Sequence, residues 1–144
     1  MKIFFICTGN TCRSPMAQAI FAAKELEGVS VKSAGLFAGT APLSANAQTV
    51  LDAHGIDFQH ISKQLRPEDL DWASLVLTMT NSHKSLLVQN YPGSSDKIFT
   101  LKEFVEGSVG DISDPYGGPL AAYEQTFAEL HRLIDGLADM IEEE

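Results

Sequence analysis

Two short stretches far apart in the chain carry the residue types that nucleophilic and acid–base chemistry require. They are Cys7-Thr8-Gly9-Asn10-Thr11-Cys12-Arg13-Ser14-Pro15 near the start and Asp114-Pro115-Tyr116 near the end. The first follows an apolar run, Ile3-Phe4-Phe5-Ile6, that reads as a buried strand, and precedes residues 16–24, which read as a helix with Ser14 as its N-cap and Pro15 at its first position. Such a turn gathers backbone N–H groups and the positive end of a helix dipole around one small space, suited to a phosphate-sized dianion. The same field lowers a thiol pKa, so Cys7 is expected to be largely thiolate and nucleophilic. Arg13 can hold two phosphoryl oxygens with its planar fork, as a lysine cannot. An isolated cysteine at a strand end is more often a small buried hydrophobe. Here the glycine, arginine, serine and proline also stand at mutually useful positions, and together they point to phosphoryl transfer.

A cysteinyl mechanism also needs a proton for the leaving group and then a base to activate water. Asp114 is the candidate for both. Residues 107–118 contain Gly107, Gly110, Gly117, Gly118 and Pro115, too many breakers for a helix or strand, so they read as a loop able to fold over the first site. Pro115 restricts Asp114 to extended backbone that aims its carboxyl group. Taken alone, an Asp-Pro pair is most often simply a turn.

The elements that must position these groups alternate. Residues 29–34 read as a second strand ending at Gly35. Residues 36–42 form a small-residue loop whose Phe37 could line a site wall but is assigned to the core. Ala47, Val50, Leu51 and His54 recur at helical spacing, with Gly55 as the stop. Residues 67–72 read as a short acidic helix and 74–79 as a third strand buried on both faces. Thr80 caps a helix carrying Leu86, Leu87 and Tyr91, which Pro92-Gly93 stops. His83, in its first turn, reads first as a solvated or capping residue, although it is the one histidine that could touch substrate. Residues 97–101 are a fourth strand and 102–106 a helical turn. Leu120, Tyr123, Phe127, Leu130, Ile134, Leu137 and Ile141 form an apolar seam, read as one long helix docked on the sheet rather than a dimeric coiled coil. Strands alternating with helices predict right-handed crossovers and a parallel, doubly wound sheet. Ligands bind beyond the carboxyl ends of such strands, where Cys7, Ser33 and Thr80 would emerge. The chain has no Gly-x-Gly-x-x-Gly and no Gly-Lys-Ser/Thr, which disfavours a nucleotide-binding module.

With 144 residues, 44% of them hydrophobic, one domain with a full core is expected. There is no signal-peptide pattern and no run long enough to span a membrane. The net charge of −9 disfavours nucleic acid and anionic lipid as partners and requires any anion site to build its positive potential locally. Both cysteines, Cys7 and Cys12, lie in one loop, which excludes a secreted disulfide scaffold and suggests a reducing cytoplasm. Cys12 either packs under the loop or forms a reversible disulfide with Cys7 on oxidation. The four histidines show no metal-ligand spacing, so neither metal nor cofactor is expected.

The motif Cys-x-Gly-Asn-x-Cys-Arg-Ser-Pro resembles the phosphate-binding loop of the low-molecular-weight protein tyrosine phosphatases. Asp114-Pro115-Tyr116 and Ser33-Ala34-Gly35 resemble two further family patterns, so the likeness spans nearly the whole chain. It implies a single-domain (1–144) three-layer α/β sandwich, with helices on both faces of a four-stranded parallel sheet in the order 2-1-3-4. It implies catalysis by Cys7, Arg13 and Asp114 through a phosphocysteine intermediate. Thr8, Gly9, Asn10, Thr11, Cys12, Arg13, Ser14 and Tyr116 would bind substrate. Ser14 would donate to the Cys7 sulfur, Asn10 would fix the loop, and His60 would be a structural hydrogen-bonding histidine. Partners would be phosphorylated proteins, and a monomer is expected. Thr11 and Gly117-Gly118 look most like the bacterial branch that dephosphorylates protein arginine, which implies a stress-response role opposing a protein-arginine kinase.

The tyrosine phosphatases of the family carry a larger aliphatic residue at the place of Thr11 and two adjacent aromatics after Asp-Pro. Threonine removes hydrocarbon and adds a hydroxyl, which favours a guanidinium over a phenyl ring. Tyr116 stands where the arginine branch carries phenylalanine. It is compatible both with stacking on a guanidinium and with phosphotyrosine, which remains the alternative substrate. An arsenate reductase would need further cysteines downstream, and none follows Cys12. A non-catalytic phosphate-binding module would need neither Cys7 nor Asp114.

Overall fold

In the computed structural model, which describes residues 1–143, four strands form one all-parallel sheet in the order β2-β1-β3-β4. They are β1 (Lys2–Cys7), β2 (Ser30–Gly35), β3 (Leu75–Thr78) and β4 (Ile98–Thr100). The helices are α1 (Arg13–Ala22), α2 (Ala45–Ala53), α3 (Pro67–Trp72), α4 (Asn81–Asn90), α5 (Leu101–Glu106) and α6 (Leu120–Glu142). A 3₁₀ turn at Pro92–Lys97 separates α4 from β4. This is the doubly wound architecture and strand order that the sequence implied.

The central strand shows why. Period-2 alternation sends Ile3 and Phe5 to one face and Phe4 and Ile6 to the other, and all four are fully buried. Ile3 and Phe5 pack with apolar residues of α1, α2 and α6, while Phe4 and Ile6 pack with Leu70 of α3 and Leu87 of α4. Burying each phenylalanine contributes about 1.5–3 kcal/mol. A strand apolar on both sides can be satisfied only between two helical layers.

The long helix α6 buries Tyr123, Phe127, Leu130, Leu133, Ile134, Leu137 and Ala138. The apolar seam is thus consumed within the molecule. Its proposed ends differ: Leu120 is exposed and Ile141 only partly buried, and Leu133 replaces them in the core. Thr80 caps α4 by accepting the N–H of His83 at 3.1 Å. Thr100 and Glu103 form a reciprocal capping box on α5.

Register brings the strand ends level: Cys7 pairs with Gly35, Ile6 with Thr78, and Thr78 with Thr100. β2 then approaches the chain leaving β1 so closely that a Cβ on Gly35 would lie 2.6 Å from the Thr8 carbonyl oxygen and 3.0 Å from the Gly9 carbonyl carbon. The N–H groups of Leu36 and Phe37 donate to the carbonyls of Cys7 and Thr8 at 3.0 and 2.9 Å. Only glycine fits at the end of Ser33-Ala34-Gly35.

Candidate active site

Cys7 is the last residue of β1 and Arg13 the first of α1, so the intervening five residues form a loop closed between two rigid elements. Cys12, not Ser14, occupies the N-cap, and Pro15 is the third helical residue rather than the first. The capping expected of Ser14 is therefore wrong. Its hydroxyl is committed elsewhere.

Ser14 Oγ lies 2.8 Å from Cys7 Sγ and accepts a hydrogen from Asn10 Nδ2, also at 2.8 Å. Because the oxygen accepts from Asn10, its own hydrogen is free to be donated to sulfur. Asn10 is fully buried with φ +58°, a left-handed conformation that asparagine tolerates better than most residues. Its second amide hydrogen goes to Ser33 Oγ at 3.0 Å, and its Oδ1 accepts the N–H of Lys63 at 3.1 Å. Its backbone carbonyl accepts from His60 Nε2 at 2.8 Å. Ser33 in turn donates to Gln18 Oε1 at 2.6 Å. One asparagine thus ties the loop to β2 and to residues 60–63, with every polar group of its side chain paired. His60 has the structural role expected of it, and burial lowers its pKa, favouring the neutral ring.

The cavity above this loop, about 280 Å³, is lined by Cys7, Thr8, Gly9, Asn10, Thr11, Cys12 and Arg13 together with Phe37, Asp114 and Tyr116. Two stretches a hundred residues apart in sequence therefore meet at one cavity. Arg13 is buried; its Nη1 donates to the Ile112 carbonyl at 3.0 Å, and its Nη2 lies 3.4 Å from Asp114 Oδ2. Ile112 is itself buried and its N–H donates to the Met79 carbonyl at 2.9 Å, which pins the 107–118 loop to the end of β3. Asp114, half exposed, accepts the Tyr116 N–H at 3.1 Å. That bond closes an Asx turn that presents the second carboxylate oxygen to Arg13. Gly117, at φ +79°, takes a conformation that an aromatic residue would resist. The second aromatic is thereby absent for a backbone reason as well as a chemical one.

Two expectations are corrected. Phe37 does not join the core: it is 73% exposed and lines the cavity, as does Tyr116, also 73% exposed. The signal was its position among Ala38, Gly39 and Thr40, which have too little side chain to bury it. The second correction is electrostatic. Burial pushes the Cys7 thiol up from its ordinary value, while Ser14 and Arg13 pull it down to a lesser extent. The cost of enclosing a charge opposes the attraction of the loop and depends on packing that residue types alone do not carry. Burial thus opposes the thiolate, and Ser14, 2.8 Å from the sulfur, is the first of the groups that favour it. Cys12 is a free, buried thiol whose sulfur lies 3.3 Å from Ser44 Oγ and 3.5 Å from Tyr123 Oη, packed beneath the loop.

His83 is not placed to touch substrate and is instead a partner of the loop. It lies outside the cavity lining and contacts Thr8, its Nε2 2.8 Å from Thr8 Oγ1. Burial and then Arg13 lower its pKa to about 4, against the smaller pull of Asp111 and Asp114. The folded chain thus excludes a proton that the unfolded chain binds below about pH 6.5. Stability is expected to fall by about 2–3 kcal/mol on this account as pH drops from 6.5 to 4. Urea unfolding of wild type and His83→Gln across that range checks it: the variant should lack this component, and parallel curves would refute it.

The family described as low molecular weight phosphotyrosine protein phosphatase matches residues 2–144. The chain belongs to that family. Within it, the chain is 51% identical over 144 residues to a Geobacillus stearothermophilus protein named protein-arginine-phosphatase, covering 99% of this chain and 97% of that one. The solved structure of the YwlE arginine phosphatase from the same organism superposes with a TM-score of 0.97, covering 98% of this chain and 92% of the other. A Staphylococcus haemolyticus relative, 44% identical over 95% of this chain and 97% of its own length, is named low molecular weight protein-tyrosine-phosphatase PtpB. A structure of a YwlE arginine phosphatase C7S mutant with a phosphorylated active site serine has 44% identity and a TM-score of 0.95, covering 99% of this chain and 96% of that one.

Proposed function

We propose that the chain is a cysteine-dependent protein phosphatase that hydrolyses phosphoarginine in proteins, with Cys7 as nucleophile, Arg13 as phosphoryl clamp and Asp114 as acid and base. The observation that carries this is the convergence of Cys7, Arg13 and Asp114 on one cavity floored by the loop between β1 and α1. The Cys7 thiol gives its proton, through water, to the Asp114 carboxylate, and the sulfur attacks phosphorus in line, forming an S–P bond as the P–N bond to the guanidinium breaks. Arg13 exchanges Asp114 for two equatorial phosphoryl oxygens, which the loop amides also hold. Asp114, protonated, delivers its hydrogen to the departing nitrogen. As a carboxylate it then takes a proton from water, whose oxygen attacks phosphorus, breaks the S–P bond and releases phosphate and thiolate. Ser14, aimed by Asn10, donates to the sulfur whenever it is negative. The phosphorylated serine of the related mutant supports a covalent intermediate at this position.

The arginine specificity rests on the rim. Thr11 leaves little apolar wall for a phenyl ring, and Phe37 and Tyr116, both lining the cavity, are aromatic side chains of the kind on which a guanidinium stacks. The relative named protein-arginine-phosphatase at 51% identity supports the same reading. A nucleophilic thiol that must stay reduced supports action in the cytoplasm, and arginine dephosphorylation would place the chain opposite a protein-arginine kinase in stress physiology.

The test is phosphate release from phosphoarginine and phosphotyrosine peptides of matched sequence. Wild type should prefer phosphoarginine by roughly tenfold or more, about 1.4 kcal/mol in transition-state binding. Thr11→Ile should move the balance toward phosphotyrosine. A wild-type preference for phosphotyrosine would instead make the chain a tyrosine phosphatase, like the PtpB relative by name.

A further inference from the structure

The mechanism above leaves two side chains unused. Thr8 is exposed and lines the cavity, whereas His83 is 8% exposed and stands behind it. Their only side-chain link is the 2.8 Å contact between Thr8 Oγ1 and His83 Nε2. The other ring nitrogen, Nδ1, is buried and has no partner among the described residues. The residue is held firmly. Its N–H donates to Thr80 Oγ1, and the start of α4 is tied to the 107–118 loop where Asp111 Oδ1 accepts the Asn81 N–H at 2.8 Å.

The unpartnered nitrogen decides which way the contact runs. With hydrogen on Nδ1, the ring would bury an unpaired N–H, and Thr8 would have to donate its hydroxyl hydrogen backwards to Nε2. With hydrogen on Nε2, the orphan is a bare lone pair and the ring donates to Thr8. Orphaned buried N–H groups are rarer than under-satisfied acceptors, so the second arrangement is favoured. An oxygen that accepts from His83 keeps its own hydrogen, which is then free to turn into the cavity.

We infer that the Thr8 hydroxyl is a further donor to the bound phosphoryl group, and that neutral His83 is the positioning residue that aims it. The inference rests on the phosphatase reading for its ligand but not on turnover. It assigns the second loop residue a side-chain task in addition to its backbone amide. The depressed pKa of His83 keeps the ring neutral over the mildly acid and neutral range, so one tautomer governs the contact there.

The first experiment reads the tautomer of His83 from two-bond nitrogen–proton correlations of the imidazole between pH 5 and 7. Hydrogen on Nε2 is expected; hydrogen on Nδ1 would make Thr8 the donor to histidine and overturn the inference. The second measures binding of inorganic phosphate in a Cys7→Ala background, where no turnover intervenes. Thr8→Val and His83→Leu should each weaken phosphate by about five- to tenfold, the two together by no more than either alone. His83→Gln, whose amide can donate to Thr8, should restore affinity to within about twofold. Unchanged affinity in Thr8→Val, or losses that multiply, would overturn it. Should His83→Leu fail to fold, Thr8→Val, His83→Gln and the tautomer decide the matter. If this pattern holds while protein with Cys7 intact hydrolyses no phosphorylated substrate, the phosphatase reading falls and the Thr8–His83 arrangement stands.

Discussion

Cys7→Ser is expected to lower turnover of any phosphorylated substrate by at least about 10⁴-fold while leaving phosphate binding nearly intact. A serine hydroxyl is a far weaker nucleophile than a thiolate near neutral pH. The groups proposed to hold the phosphoryl group, the loop amides, Arg13 and the Thr8 hydroxyl, are all left in place by the exchange. Ser14 Oγ, 2.8 Å from the sulfur and supported by Asn10, stabilises a thiolate but cannot deprotonate an alcohol. Whatever phosphoryl transfer survives should stop at the first step, leaving a phosphoserine that intact-mass spectrometry would detect. Turnover within tenfold of wild type would refute a covalent mechanism through Cys7 and with it the proposed chemistry.

Asp114→Asn should reduce kcat by about 10²–10⁴-fold, because the amide can neither deliver a proton to the leaving group nor take one from water. The loss should depend on the leaving group. A nitrophenolate departs without protonation, so phosphorylation of Cys7 by a nitrophenyl phosphate should survive as a burst followed by slow hydrolysis. A guanidinium nitrogen needs the proton, so phosphoarginine should show no burst. Binding should move the other way. The Arg13–Asp114 pair, 3.4 Å apart with the carboxylate half exposed, is worth only about 0.2–1 kcal/mol. It competes with ligand for the guanidinium, so removing the charge should tighten inorganic phosphate by roughly two- to fivefold. Rapid-mixing measurements on both substrates, with phosphate as inhibitor, check the two signs together. Equal losses on both substrates, with no burst on either, would remove Asp114 from the leaving-group step.

The fold was legible because its signals are redundant. Ile3-Phe4-Phe5-Ile6 is apolar at every position, which a parallel sheet between helical layers requires, and the breakers at Gly55, Pro92 and 107–118 fall between elements. The site was legible in the combination of its residue types, since the thiol and the Asp-Pro each have an ordinary reading alone, as a buried hydrophobe and a turn, and point to one chemistry only together with the guanidinium. What escaped notice depended on distances that sequence does not carry. Ser14 has the chemistry of an N-cap, yet Asn10 recruits it to the sulfur. Phe37 has the chemistry of a core residue, yet its loop has nothing to bury it against. His83 meets Thr8 across 75 positions, with no periodicity to announce it. The Cys7 thiol was misjudged because attraction can be read from neighbouring residue types, whereas desolvation needs the packed structure.

The cavity divides into a floor and a rim with different freedoms to vary. The floor is held from behind by Gly35, by a fully buried Asn10 and by hydrogen bonds to β2, to Leu36 and Phe37 just after it and to residues 60–63. The rim aromatics Phe37 and Tyr116 are mostly exposed and support nothing beneath them. An ancestor could therefore exchange rim residues one at a time without disturbing the bond-breaking machinery, and each intermediate would remain a competent enzyme. Substrate preference in such a scaffold can drift by single steps, so relatives of similar overall identity can come to act on different phosphorylated side chains.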